Sequence, residues 1–175
     1  MTFYFAGCKD LKKQDDTGAC LFAEIGAGLS HGGSILVDFV NPDCPQNTAG
    51  LEVGATYAYE QESWFSVCND LHEYFKWLEE LARLVGFHPN APDAHEPGPF
   101  REIFLYGRFA GIIGPVASAK LLADFIEWGE RAWSHGDHAF YEWYACMRKL
   151  FEYPGETGAV WFEGEKTAGS LPMKG

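Results

Sequence analysis

A chain of 175 residues with 47% hydrophobic and 22% charged residues can bury one core without metal or disulfide staples, which excludes a disordered protein. Its 25 acidic against 13 basic residues leave a formal charge of -12, opposing nonspecific attraction to nucleic-acid phosphates or anionic lipid. A basic partner is favoured instead, although the acids are dispersed without a long run and also serve solubility.

The opening "MTFYFAGC" lacks the basic stretch of a signal peptide, and no later apolar run reaches a membrane-spanning length of roughly 20 residues. A cytoplasmic protein without membrane contact is expected. Cysteines 8, 20, 44, 68 and 146 form no CxxC pair, and their odd number fits reduced, partly buried thiols better than a disulfide framework.

In chain order, "TFYFAGC", "CLFAEIGA" and "SILVDFV" carry the aromatic and branched residues of strands, separated by glycine-rich turns. "GAGLSHGG" has enough glycine for a dinucleotide fingerprint, but a strand rather than a helix follows it, so it is expected to be a hairpin loop. "NPDCPQNTAG" is a turn-rich connector, and "LEVGATYAYE" adds a further strand. Ser63 then has the chemistry of a helix cap, and Trp64, Cys68, Leu71, Phe75, Leu78, Ala82 and Val85 follow at spacings of three and four as a single stripe ending at Gly86. That spacing predicts a long central helix, its apolar face widened by Tyr74 and Trp77.

Four prolines make "HPNAPDAHEPGP" a long loop. "FREIFLYG" alternates as a strand, and a helix is expected from about Pro115 through Trp133, broken at 135–137. "AFYEWYACMRKLFE" forms another helix with Phe140, Tyr144, Met147 and Phe151 on one face, and "AVWFEG" closes as a last strand. The expected whole is one α+β domain over residues 1–165, with an N-terminal antiparallel sheet packed by a long central helix and a helical C-terminal half. Residues 166–175 form a loose tail.

"YGRFAGIIGPVASAK", residues 106–120, has the outline of a phosphate loop, but Pro115 stands where a Walker loop needs lysine. Proline there suits the first turn of a helix, so the glycines turn a corner first. What remains is a candidate anion site at a helix N-terminus, formed by Arg108, Gly111, Gly114, Ser118 and Lys120.

"GPFREIFLYGRFAGIIGPVASAKLLADFIEWGERA" and "FYEWYACMRKLFEYPGETGAVWF" together resemble a group of small phage and prophage proteins of unknown function. In that group a GPF start, an EGxIGPxxSAKLAxDF core and a closing GAV-x-F recur. The similarity spans roughly residues 63–163 and leaves the strand-rich first third unmatched. The group's loop before the glycine is acidic and often holds a cysteine, whereas this chain has Gly107, Arg108, Phe109 and Ala110. The resemblance implies a mobile-element setting and no particular reaction.

Other chemistry is sparse. His135, Asp137 and His138 lie together at a helix break, but further metal ligands are not evident at convergent spacing, and an Asp137 cap with solvated histidines explains the same letters. No cysteine is tied to a histidine by a recognisable signature, so neither metal nor cofactor is expected and an enzyme is disfavoured. The aromatic load, with Trp128, Trp133, Tyr141 and Trp143 on consecutive helices, exceeds what one core face takes up. Those four are candidate interface anchors. The expected function is that of a phage or mobile-element accessory protein that binds, and thereby inhibits, a host defence factor through an acidic aromatic-rich surface. The alternatives are sequestration of a small anionic nucleotide and a cysteine- or metal-dependent enzyme; direct nucleic-acid binding is not expected.

Overall fold

The computed structural model describes residues 3–14, 33–37, 40, 42, 44–59, 61–68, 71–91, 96–105, 110–135 and 137–164. The strand expected at "CLFAEIGA", nearly all of the "GAGLSHGG" loop and the tail 166–175 lie outside them. The elements in order are β1 (Phe3–Lys9), β2 (Lys12–Lys13), β3 (Gly33–Leu36), a 3-10 turn (Pro45–Thr48), β4 (Thr56–Tyr59) and β5 (Gln61–Cys68). There follow α1 (Leu71–Val85), α2 (Arg101–Phe104), β6 (Ala110–Ile113), α3 (Pro115–Glu127), α4 (Gly129–Ser134), α5 (His138–Glu152) and β7 (Ala159–Gly164).

The architecture is α+β. A four-stranded antiparallel sheet has the order β5-β1-β7-β6, and a three-stranded one the order β2-β4-β3. The larger sheet joins the first and last of the described strands, since β1 pairs with β7 from Phe3↔Gly164 to Cys8↔Ala159. Strand side chains alternate between faces, and here both faces are covered. Phe5, Ile113, Val160 and Phe162 enter the core formed with α1, α3 and α5, whereas Cys8, Ile112 and Ala159 enter a second cluster with Ile35, Val37, Tyr57 and Tyr59 of the smaller sheet. The sheet is thus the middle of three layers. This explains why "FYFAGC" is nearly continuously apolar rather than alternating with polar residues.

The helical layer is pinned by aromatic packing and one buried hydrogen bond. Phe125 meets Tyr144 edge-on at 4.9 Å and stacks on Phe151 at 5.8 Å, and the Tyr144 hydroxyl donates to the Phe125 carbonyl at 2.9 Å. Burial raises the Tyr144 phenol well above its ordinary range. The stripe expected on α5 is buried as expected: Phe140, Tyr144, Met147 and Phe151 all face the core.

Three expectations are corrected. Ser63 does not cap a helix: residues Gln61–Cys68 are the edge strand β5, paired with β1 from Phe3↔Cys68 to Lys9↔Gln61, and the helix begins only at Leu71. Its inward face is also not centred on the expected stripe: Tyr74, Trp77 and Leu81 are buried, Tyr74 against β1 and Trp77 against α5, while Phe75 is 44% exposed. "FREIFLYG" is not a strand either. Phe100 adopts a left-handed conformation (φ 57°) and starts the single turn α2, which buries the consecutive residues Glu102 and Ile103 as no strand with one wet face would. Finally, the helix from Pro115 is broken at Trp128 into α3 and α4.

Candidate functional site

Around the start of α3 the chain is tightly covered. Pro115 supplies no N–H, the Gly114 N–H donates to the Asn47 carbonyl (2.6 Å), and the Val116 N–H donates to the Ala49 carbonyl (3.4 Å). A Cβ on Gly114 would lie 2.7 Å from the Ala49 oxygen, so glycine is required by this close approach. Asn47 and Ala49 therefore take up two of the amides that an anion would need.

The described members of the anion set face different ways. Ser118 is buried and its hydroxyl donates to the Ile113 carbonyl (3.1 Å). Lys120, two positions on and so on another side of the helix, places its ammonium against Glu102 (2.6 Å), Asp124 (2.8 Å) and the Gly98 carbonyl (2.5 Å). Gly111 is in β6 and Gly114 caps α3, while Arg108 lies outside the described residues.

This lysine is the centre of a polar network. Asp124 also accepts the Phe100 N–H (2.8 Å), which fixes the left-handed residue; Asn47 donates to the Glu102 carbonyl (3.1 Å), and the buried Cys44 thiol donates to Asn47 (2.9 Å). The letters GPF and SAKLLADF thus meet in one place, where they pair charge and satisfy buried polar groups. Both carboxylates press on an ammonium that they neutralise, the chemistry of a structural clasp.

No group of three or more His, Cys, Asp or Glu side chains converges as a metal site among the described residues. His135 and His138 turn to different partners: His135 Nε2 lies 3.0 Å from Glu80 on α1, and His138 Nε2 lies 3.8 Å from Glu142 on its own helix. Asp137 is a helix cap, its carboxylate accepting the Phe140 N–H at 3.3 Å. Cys8 and Cys44 are buried and Cys146 is partly so.

The four aromatic candidates divide. Trp128 packs partly against the core and lies under the Arg131 guanidinium, 4.4 Å from its ring centre. Trp143 packs beside Trp77 at 6.2 Å. Trp133 instead is 67% exposed and meets Tyr141 edge-to-face at 4.8 Å and 80°. These two rings form the corner where α4 meets α5. Glu130 stands one turn before Trp133, and Asp137 one turn before Tyr141; both acids are exposed. The Glu80–His135 contact ties this corner to α1, a link between distant segments that no local spacing announces.

No protein-family model, curated protein or solved structure matches the chain. No helix among the described residues is long and apolar enough to cross a membrane.

Proposed function

We propose that the protein acts by binding: it is an accessory factor of phage or mobile-element type that captures a host protein, and so inhibits it, through the corner of α4 and α5. The observation that carries this reading is Trp133, 67% exposed yet held upright against Tyr141. A large indole left in water forgoes the stabilisation of burial, on the order of 2 kcal/mol, which a partner restores by covering it. Tryptophan and tyrosine are enriched among the few residues that dominate binding energies, and Glu130, Asp137 and Glu142 supply an acidic rim in keeping with the net charge of -12. Long-range attraction then selects a basic partner and speeds the encounter, while the rings give the short-range grip.

The experiment is comparative capture from a bacterial host lysate by immobilised wild type and Trp133→Ala, followed by binding and activity measurements on the purified captured protein. A protein retained by wild type, lost with the variant and inhibited on binding supports the reading. Equal retention by both, or no specific retention at low salt, overturns it.

A further inference from the structure

We infer, resting on the binding reading above, that the Trp133–Tyr141 corner receives an arginine side chain from a basic segment of the partner. The chain itself shows the preference. Lys9 lies over Tyr153 at 4.1 Å, Arg101 over Phe87 at 4.3 Å and Arg131 over Trp128 at 4.4 Å, so three rings already carry a cation. No cation lies over Trp133 among the described residues, although its indole is the most open of the large apolar side chains. Tryptophan is the strongest aromatic acceptor for a cation, and a guanidinium stacks on it while its N–H groups remain free for carboxylates.

A carboxylate is in place. Glu130 is on the Trp133 face of α4, one turn away, and carries no ion pair among the described residues; Asp137, one turn before Tyr141, adds negative charge although one of its oxygens accepts the Phe140 N–H as the cap of α5. Among the described residues the neighbouring cations do not fill the gap, since Arg131 is engaged on Trp128 and Arg148 is two turns beyond Tyr141. The corner therefore combines a bare indole, an edge-on tyrosine and an unpaired acid, which is complementary to arginine in shape and in charge.

The test uses a fluorescently labelled, end-blocked nine-arginine peptide, with nine-lysine and nine-glutamate peptides for comparison, and measures anisotropy with the full chain. Trp133→Ala is expected to weaken nine-arginine binding about tenfold and Glu130→Gln about threefold. Glu156→Gln, which removes the same charge beyond the far end of α5, is expected to change it less than twofold. Trp133→Phe retains a ring and should fall between wild type and the alanine variant; thermal unfolding is run on every variant. Equal losses for Trp133→Ala and Glu156→Gln, or equal binding of arginine and lysine peptides, would overturn the inference. If a host protein depends on Trp133 while the arginine peptide does not bind, the arginine assignment falls and the binding reading stands. If neither the host protein nor the peptide depends on Trp133, both fall.

Discussion

The Glu80 carboxylate accepts from His135 at 3.0 Å, and this contact, aided by Arg83 and opposed by partial burial, holds its pKa below the ordinary 4.5. Because the folded value is depressed, the unfolded chain binds the proton at higher pH. The stabilisation is therefore fully present above the unfolded value and is lost as pH falls through the folded one. Replacing His135 by Ala should raise the Glu80 titration toward its ordinary value, as followed by carboxyl carbon NMR. The stability gap between wild type and variant should also narrow as pH falls below the ordinary 4.5 and through the depressed folded value; a constant gap would deny the contact this role. Lys120 makes the opposite case, a cation whose removal leaves Glu102 and Asp124 facing each other. Their side chains are only 9% and 13% exposed, so Lys120→Met should cost about 2 kcal/mol in urea unfolding, the half-open lysine keeping the penalty below that of a fully buried pair.

Helix boundaries depend on local chemistry and on packing in different proportions. For α5 the local part is strong: Asp137 caps it, and four large residues one turn apart complete its buried face. Asp137→Ala should lower stability by about 1 kcal/mol, seen as a shift in urea midpoint with unchanged slope. For α1 the packing part dominates. Its inward face is chosen by Tyr74 against Phe5 at 5.6 Å and by Trp77 against Phe140 at 6.4 Å, partners that come from β1 and α5. The Trp77 indole nitrogen is buried without a hydrogen-bond partner among the described residues, so apolar packing outweighs the cost of that orphaned donor.

Across the whole molecule the two tryptophans Trp77 and Trp133 differ most in burial, and under the proposed function they separate stability from recognition. Trp77 is 4% exposed and lies in the helical core, so Trp77→Ala should cost about 3–5 kcal/mol and shift the thermal midpoint strongly. Trp133 fills no cavity. Its alanine variant should unfold within about 0.5 kcal/mol of wild type while losing partner binding, as measured by calorimetry on both activities. A destabilisation of several kcal/mol in Trp133→Ala would show that the ring belongs to the fold and would end its role as an exposed anchor.

The strands within "TFYFAGC", "SILVDFV", "LEVGATYAYE" and "AVWFEG", the Asp137 cap and the buried stripe of α5 were legible in the amino-acid order because each rests on neighbours a few positions away. Gln61–Cys68 was not: over so few residues, aromatic and branched side chains satisfy a helical period and a strand equally, and pairing with β1, more than fifty positions upstream, decided the matter. The same holds for Phe100, whose left-handed backbone is held by an aspartate 24 residues further on. It holds for the glycine corner before α3, whose amides are taken up by residues 47 and 49. Among the four aromatic candidates, spacing placed all on helices, but only the break at Trp128 and the packing of the helices left Trp133 in water while Trp128 and Trp143 pack partly against the core. Periodicity reports which side of an element is apolar; what covers that side is set by contacts between segments far apart in the chain, and a surface site is whatever those contacts leave uncovered.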